Sequence, residues 1–358
     1  MLARTGILLV GHNLDGPRWQ WKQEPGSVFI NKRNCCKKSV SGYELGACKK
    51  QRILKWISKY GSVTFNCYGR EFPDGGMNEA GLVINEMGFG YQDYSYNDSL
   101  PTMMATQWIQ YQLDNYKTVR EVIENINAIN IVSWGLPAPF GGNNWHYFIS
   151  DKNADFAIIE FQDGKAEIFT GKSAKVPVLC NNAYQQDAEN LKKYRGFGGT
   201  RPIILQPKLF SYWFNQGARM VLMYNPDKHG HPVKYCFRIL RTMQRPFCEQ
   251  WSIVYDIKHS RIGFRTFSSP KLKYLDLSDF NFTNREVKVI PDIHSIISGN
   301  AASECIPYTH SINSEIVEKS LYGFLNAYER SFSFKQGQTE ETYVERRKKI
   351  VLEITGTE

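Results

Sequence analysis

His146 and Cys180 are the residues of this chain that most readily suggest nucleophilic chemistry. His146 stands beside Trp145 in a strand-like run, where an imidazole can serve as a general base. Cys180 precedes Asn181, and a thiol that meets a histidine in space can be activated as a nucleophile. The same two residues also suit an ordinary core, in which a buried thiol is inert. We expect both to be structural, and the cysteine–histidine pair stays an alternative.

The other reactive residues give no sign of a metal or cofactor site. None of the eight cysteines forms a Cys-x-x-Cys pair, so neither a zinc ribbon nor a thioredoxin-type motif is supported. The glycine-rich residues 196–199 are not followed by the Lys-Ser/Thr that a phosphate-binding loop needs. The sequence therefore predicts an activity that needs no cofactor.

Charge and hydropathy exclude several classes of partner. Lys and Arg exceed Asp and Glu by nine (44 against 35), with a cluster at residues 32–52. Clustered cations can bind nucleic acid, but no nucleic-acid-binding module accompanies them, so we expect a solvated basic loop. No run approaches the roughly 18 apolar residues of a membrane span, and no export signal is visible at the N-terminus. Localisation stays open, since a longer N-terminal segment could direct export.

Strands and helices must position the candidate residues, and turn chemistry delimits them. Runs of β-branched and aromatic residues predict strands at 6–11, 27–31, 62–68, 82–85, 145–150, 156–161, 166–170, 176–179, 251–257, 261–267 and 274–277. Helical spacing predicts helices at 102–115, 118–129, 187–194, 217–224, 233–244 and 314–330. Asp74-Gly75-Gly76 predicts a turn, and Thr118 with Glu121 predicts a capping box. Meanders near both ends with helices between them indicate an α+β fold with largely antiparallel sheets.

Six short segments occur in a fixed order along the chain. They are GHNLD from Gly11, DGGMNEAGLVI from Asp74, WHYFISD from Trp145, VLCNNAY from Val178, GAR from Gly217 and WSIVYDIKHSRIGFRT from Trp251. Together they resemble the choloylglycine hydrolase and penicillin V acylase family of linear amide C–N hydrolases. The resemblance spans about residues 6–280, and we predict one domain over residues 1–358 with a C-terminal extension at 281–358 that contains a late helix.

The resemblance implies an N-terminal-nucleophile hydrolase fold, an αββα sandwich of two antiparallel sheets. It also implies a mechanism without metal, in which a processed N-terminal cysteine attacks the amide carbonyl and its own α-amine is the base. An α-amine titrates at about 7.7–8.0, so it can take the thiol proton near neutral pH. The resulting thioester is then hydrolysed, or passed to an acceptor other than water.

Three residues match the family's catalytic residues. Asp15 matches the carboxylate that orients the α-amine, Asn181 the asparagine that binds the oxyanion, and Arg219 the arginine of the nucleophile's charge network. Taken without the resemblance, these residues predict a turn, a strand end and a surface ion pair. The ordered match favours the catalytic roles for all of them.

Two positions depart from the family pattern. His12 stands where most relatives carry arginine, and a histidine is largely neutral at pH 7. After MNEAGL, the chain lacks the Asn or Tyr that relatives use as a second oxyanion or substrate group. We assign Met87, Gly88 and Phe89 to substrate binding at this place. The aromatic residues 89–96 and the Gly/Pro-rich residues 134–145 could wall an apolar acyl pocket, or be ordinary surface loops.

The N-terminus is the third departure. The family's cysteine starts the strand that leads into GHNLD, whereas this sequence starts with Met1 and has no cysteine before Gly11. We therefore expect an amidase that acts on small acylated molecules of the bile-salt, penicillin V or N-acyl amide type, shortened here so that the nucleophile is missing. The alternatives are an inactive ligand-binding or interaction module, and an acyltransferase. The expected partner is a small-molecule amide, with a homo-oligomer possible.

Overall fold

Runs of apolar residues form the strands of this protein, and amphipathic helices cover them. The computed structural model describes residues 1–4, 6–15, 26–39, 52–90, 93–133, 145–203, 210–244, 249–328 and 339–355. The strands are β1 (Leu2–Arg4), β2 (Ile7–Asp15), β3 (Ser27–Asn31), β4 (Cys36–Lys38), β5 (Lys55–Ile57), β6 (Ser62–Asn66), β7 (Pro73–Asn78), β8 (Val83–Gly88), β9 (Thr102–Met104), β10 (Asn130–Val132), β11 (Trp145–Ser150), β12 (Phe156–Gln162), β13 (Lys165–Thr170), β14 (Glu249–Asp256), β15 (Arg261–Thr266), β16 (Lys273–Asp276), β17 (Lys288–Ile290), β18 (Gly299–Asn300) and β19 (Ile306–Pro307). The helices are α1 (Trp108–Asn115), α2 (Val119–Glu124), α3 (Tyr184–Leu191), α4 (Phe210–Met223), α5 (Pro226–His229), α6 (Pro232–Thr242), α7 (His310–Tyr328) and α8 (Glu340–Thr355).

Most of the described strands belong to two large sheets. The six-stranded sheet has the order β1-β2-β14-β15-β16-β18, and the nine-stranded sheet has the order β13-β12-β11-β8-β7-β6-β3-β17-β19. Every neighbouring pair in the nine-stranded sheet is antiparallel, and β16 with β18 is the parallel pair of the six-stranded sheet as described. The sheets are therefore largely antiparallel, as predicted.

The two sheets stack face to face between helices. Phe65 of β6 contacts Phe264 of β15 edge to face at 5.4 Å between ring centroids, and this contact crosses from one sheet to the other. Helix α6 packs on β2 and β14 of the six-stranded sheet, and α1 packs on β7 and β8 of the nine-stranded sheet. This order, helix, sheet, sheet, helix, confirms the predicted α+β four-layer sandwich.

The segment Asp74-Gly75-Gly76, predicted as a turn, lies inside β7, so that prediction is wrong. Both glycines serve close approach within the sheet. A Cβ on Gly75 would lie 2.2 Å from the Asn85 side-chain oxygen, and one on Gly76 would clash with the backbone of β6. The chain turns after β7, where the Asn78 side chain accepts hydrogen bonds from two backbone N–H groups of the turn.

Residues 176–179, which were predicted to form a strand, lie within the described range and form none. The backbone N–H of Val176 donates to the Tyr184 hydroxyl, and that hydroxyl donates back to the Val176 carbonyl. Because a buried side chain takes up these backbone groups, the segment needs no strand partner.

The helices differ from the prediction mainly at their ends. Residues 102–104 form β9 with β10 as its partner, so the first helix begins only at Trp108. The Thr118 side chain caps α2 by accepting from the Glu121 N–H, as predicted. The Glu121 carboxylate accepts from the N–H of Lys117, one residue before the cap, so the reciprocal half of the box is shifted.

Part of the basic cluster is buried, which corrects the expectation of a solvated loop. Lys32 is 2% exposed and donates to a backbone carbonyl. Lys37 is 4% exposed, and its ammonium lies 2.8 Å from the Glu71 carboxylate and 3.0 Å from that of Asp114. Residues 40–51, which complete the cluster, lie outside the described ranges.

The C-terminal part contributes strands to both sheets. Strand β17 pairs with β3 in the nine-stranded sheet, and β18 pairs with β16 in the six-stranded sheet. Helix α7 is the predicted late helix, and α8, half of whose residues are charged, packs against it. No helix within the described ranges is both long and apolar enough to cross a membrane.

Candidate active site at the end of strand β8

His12, in the second half of β2, joins the two sheets. Its Nε2 lies 3.1 Å from the carbonyl oxygen of Glu86 in β8, which belongs to the other sheet. His12 is only 5% exposed. Burial lowers the pKa of His12 from 6.5 to about 4, although the bond to Glu86 opposes the shift. The imidazole is therefore neutral near pH 7, where an arginine would carry a fixed charge.

Asp15 is the last residue of β2, and its carboxylate acts electrostatically on Cys180, the residue before Asn181. Burial raises the pKa of the Cys180 thiol well above its usual range, and the carboxylates of Asp187 and Asp15 raise it further. This effect requires Asp15 to be near Cys180, since Coulomb interactions fall with distance. Asp15 therefore lies within electrostatic range of the residue that precedes Asn181.

Asn181 and Gly88 meet directly. The Asn181 Nδ2 donates to the Gly88 carbonyl at 2.8 Å, and the side chain is half-buried. A Cβ on Gly88 would lie 3.3 Å from this Nδ2, so a side chain there would crowd the amide. The second N–H of the same amide points away from that bond and can serve an oxyanion.

Phe89 is held in place by a buried histidine. Its ring stacks on His146 at 4.7 Å with an interplanar angle of 7°. His146 Nδ1 lies 2.8 Å from Glu160 Oε1, which also accepts from the Tyr184 N–H at 2.9 Å. Glu160 therefore ties β11 to the first residue of α3, just after Asn181.

The sequence prediction missed Glu160, although a signal was present. It is an acidic residue in the middle of the apolar strand FAIIEF, and it is fully buried. A charged residue at such a position is almost always paired. His146, which was singled out, is the other half of this pair.

The cysteine–histidine alternative is not supported by this geometry. His146 is fully buried, and its Nδ1 is engaged by Glu160. Cys180 is 4% exposed, and its raised pKa keeps the thiol protonated. Because the thiolate is the nucleophilic form, Cys180 has the environment of a structural cysteine.

The remaining predicted residues lie at different depths. Met87 is half-buried and packs against the core between the sheets. Arg219 is exposed on α4, and it makes no hydrogen bond or ion pair with any residue that the structure describes. The structure therefore does not bring Arg219 together with Asp15 and Asn181. Residues 91–92 and 134–144 of the predicted pocket walls lie outside the described ranges.

Two carboxyl groups near the end of β8 were also missed. Burial raises the pKa of Asp74 to about 7, and its Oδ2 accepts from the Cys67 N–H at 2.8 Å. Burial, with the nearby charge of Asp74, raises the pKa of Glu86 well above its usual range. The assignment of Asp74 to a turn hid this pair. Within the described ranges no three His, Cys, Asp or Glu residues are arranged to hold a metal ion.

Comparison with known proteins identifies the family to which this chain is similar. The sequence profile of the linear amide C–N hydrolases, choloylglycine hydrolase family, matches residues 6–210. A penicillin V acylase from Pectobacterium atrosepticum is 25% identical over 295 residues, which cover 72% of this chain and 78% of that protein. A bile salt hydrolase/transferase from Lactiplantibacillus plantarum is 30% identical over 129 residues, 35% of this chain and 39% of that protein.

Solved structures share the fold. Penicillin V acylase from Agrobacterium tumefaciens superposes with a TM-score of 0.68 at 24% identity, over 86% of this chain and 96% of that chain. A mutant of the conjugated bile acid hydrolase from Clostridium perfringens superposes with a TM-score of 0.62 at 20% identity, over 81% and 94%. These are N-terminal-nucleophile hydrolase structures, and the predicted fold is thereby confirmed.

Proposed function

Because the chain belongs to the choloylglycine hydrolase family of linear amide C–N hydrolases, we propose that it hydrolyses a linear amide bond in a small acylated molecule. One observation carries the proposal. The Asn181 amide donates to the Gly88 carbonyl, and the Asp15 carboxylate acts electrostatically on Cys180, the residue before Asn181. This pair of groups fits acyl transfer from an amide.

Each residue has a defined task in the proposed reaction. The Asp15 carboxylate orients the α-amine of an N-terminal cysteine, which takes the thiol proton as sulfur attacks the amide carbon. The Asn181 amide stabilises the oxyanion that forms on the carbonyl oxygen. The amine product leaves with a proton, and water then attacks the thioester to release the acid. Met87, Gly88 and Phe89 contact the acyl group, whereas Arg219, which is exposed on α4, has no part in the proposed reaction.

The strand register indicates where the proposed nucleophile would lie. Leu2 is opposite Leu9 and Arg4 is opposite Ile7, so each residue ahead of β1 lies one step further along β2 towards Asp15. The mass of the N-terminal peptide, measured on protein from its native source, identifies the residue that begins the mature chain. A cysteine there supports the proposed mechanism, and any other residue contradicts it.

The substrate class is tested with that same protein. We propose a panel of a phenoxyacetyl amide, a glycine-conjugated bile salt and an N-acyl homoserine lactone, with release of the free acid measured by mass spectrometry. Asn181→Ala should lower kcat by about a hundredfold or more, the usual effect of losing one oxyanion donor. The control is Asn182→Ala, because Asn182 donates to Asp187 and not to Gly88.

A ligand-binding protein without turnover is the second candidate, and one observation favours it. His12 gives a neutral imidazole where relatives carry a permanent cation. If the native protein binds members of the panel but releases no acid, the binding function replaces the proposed one. Acyl transfer is distinguished in the same assay, because an added amine then becomes acylated in place of water.

A further inference from the structure

One oxygen of Glu160 serves two parts of the candidate site. Glu160 Oε1 lies 2.8 Å from His146 Nδ1, and it accepts from the backbone N–H of Tyr184 at 2.9 Å. An ionised carboxylate can only accept hydrogen bonds, so Nδ1 carries the hydrogen. Glu160 and His146 are fully buried, and Tyr184 is 1% exposed. Because hydrogen bonds are electrostatically stronger inside a protein than in water, both partners are held firmly.

The first connection runs through His146 to Phe89. The imidazole stacks on the Phe89 ring at 4.7 Å between centroids, with an interplanar angle of 7°. A stacked ring cannot tilt without losing this contact. Phe89 is half-buried, so part of its ring stays accessible. The direction of the imidazole, which Glu160 sets through Nδ1, therefore sets the plane of Phe89.

The second connection runs through Tyr184 to Asn181. Tyr184 is the first residue of α3, and only residues 182–183 separate it from Asn181. A fixed N–H at the start of the helix limits how far Asn181 can move. The Asn181 amide in turn donates to the carbonyl of Gly88 at 2.8 Å, one residue before Phe89. The two connections therefore meet again and form a closed ring of contacts that begins and ends at Glu160.

We propose that Glu160 is a positioning residue, which fixes the Asn181 amide and the Phe89 ring relative to each other. This rests on the proposed function, since it takes Asn181 as the oxyanion donor and Phe89 as part of the acyl site. Glu160 is fully buried, so it acts through these residues and does not touch the substrate. A misplacement of about 1 Å can cost roughly a hundredfold in rate. One buried carboxylate is therefore sufficient to influence both turnover and binding.

The two connections predict different kinetic effects. Asn181 acts on the oxyanion of the transition state, so its displacement lowers kcat, whereas Phe89 contacts the acyl group throughout, so its displacement raises KM. Glu160→Leu removes the acceptor of both connections, and kcat should fall about tenfold. His146→Leu removes the stacked ring alone and should raise KM about fivefold, the value of one aromatic contact, with kcat unchanged.

A double-substitution cycle separates positioning from a general loss of structure. The substrate is the panel amide that the native mature protein hydrolyses. If Glu160 acts on turnover through Asn181, Glu160→Leu should lower kcat by less than about twofold once Asn181→Ala is present. Independent effects multiply, so a merely structural role gives the same fall in both backgrounds.

A conservative variant and a matched control complete the set. Glu160→Gln keeps a side-chain oxygen for both N–H donors, so kcat and KM should stay within about threefold of their original values. Glu167 is directly opposite Glu160 in β13 and is exposed. Glu167→Leu should leave both constants unchanged.

Two further measurements do not depend on turnover. Protein labelled with ¹⁵N in its asparagine side chains reports on Asn181 by NMR, and the signal is identified by its loss in Asn181→Ala. Phenoxyacetate, the acid of one panel amide, reports on the Phe89 ring. Glu160→Leu should shift the Asn181 signal and weaken phenoxyacetate binding about fivefold, whereas Glu160→Gln should do neither.

The outcomes are separable. Equal effects of Glu160→Leu with and without Asn181→Ala, a loss of activity in Glu160→Gln, or an unmoved Asn181 signal in Glu160→Leu each overturn the inference. If Glu160→Leu does not fold, Glu160→Asp takes its place, because the shorter side chain withdraws the acceptor from both donors. If the native protein hydrolyses no panel amide, the proposed function is wrong, and the Asn181 signal still decides this inference.

Discussion

Two regions of this protein bury ionisable side chains. One keeps them charged through opposite charges, and the other favours their neutral forms. In the first, the charge network, the Lys37 ammonium lies between the carboxylates of Glu71 and Asp114. Asp114 also accepts from the indole N–H of Trp56 at 2.8 Å. Burial alone would lower the pKa of Lys37, but Asp114 and Glu71 raise it above its ordinary value. Lys37 is thus a buried cation with two counter-charges.

The second region is the β8 edge, formed by His12, Asp74 and Glu86. Here burial is the first cause of each shift, lowering the pKa of the histidine and raising those of both carboxyls. Within the described ranges no cation contributes to these shifts. The groups are therefore held near neutrality by their surroundings and not by opposite charges.

The difference separates a structural role from a chemical one. A buried ion pair with its hydrogen bonds made fixes the chain at one place and has no reason to change protonation. Groups displaced from their ordinary pKa values without a counter-ion are the ones that exchange protons or accept ligand hydrogen bonds. The β8 edge, which lies beside Asn181, has the second character.

Removal of the central cation should give the largest effect. Lys37→Met leaves Asp114 without its counter-charge and Glu71 with only Arg70, at 3.8 Å, so we expect a loss of about 3–5 kcal/mol in the free energy of unfolding. Urea titration at pH 7 measures it. A loss below about 1 kcal/mol would show that the charge network contributes no more than a surface pair.

The histidine of the β8 edge should make the free energy of unfolding depend on pH. The His12 pKa is lowered on folding, so the unfolded chain takes up a proton below pH 6.5 while the folded protein stays neutral down to about pH 4. The contribution of neutral His12 to the free energy of unfolding is fully present above pH 6.5 and is lost as the pH falls towards 4. Between pH 7 and 5 the loss is about 2 kcal/mol. We expect this loss to be absent from His12→Gln, and an equal loss in both proteins would assign it elsewhere.

The carboxyls of the same edge should give the opposite slope. The Asp74 pKa is raised from 3.8 to about 7, so the folded protein keeps a proton that the unfolded chain releases. This stabilisation is present below about pH 4 and is lost as the pH rises to 7. The Asp74 side chain is half-buried, so we expect only part of this effect. Relative to the unaltered protein, Asp74→Asn should gain about 1 kcal/mol in the free energy of unfolding as the pH rises from about 4 to 7. Unfolding curves with identical pH dependence would contradict the shift.

The smallest effect should come from the exposed counterpart of the charge network. Lys192 pairs with Glu189 on the surface, with both side chains about half exposed. Lys192→Met should change the free energy of unfolding by about 1 kcal/mol or less, since solvent screens such pairs. Measured in the same buffer, it calibrates the Lys37→Met result. A comparable loss from both substitutions would remove the distinction between buried and exposed pairs.

Local signals allowed much of the fold to be predicted from sequence. The meander 145–170 and the Thr118 cap depend on neighbouring residues, and both are found. The burial of Lys37 was not predicted, because it depends on Glu71 and Asp114, which only the folded chain brings near. Asp74 was misassigned for the same reason, since a glycine pair inside a sheet has the same local pattern as a turn.

The site, too, has a part that local sequence signals predicted and a part that only the folded chain shows. The motif match assigned separate roles to Asn181 and to residues 87–89, and the bond between Asn181 and Gly88 joins these two parts of the chain. It could not show that the His12 ring would be fixed by Glu86, because side-chain direction is set by the partner sheet. Arg219, whose assignment came from a three-residue segment, lies exposed and apart from the other residues.

Glu160 has a consequence for how this protein can change over evolutionary time. Its carboxylate holds His146, on which Phe89 rests, and the first N–H of α3, so it couples both sides of the β8 end through one buried group. Substitutions that alter the substrate range are therefore expected at residues that Glu160 does not couple. A substitution of Glu160 should therefore disturb Phe89 and the start of α3 together, whereas a residue outside this coupling can be replaced alone.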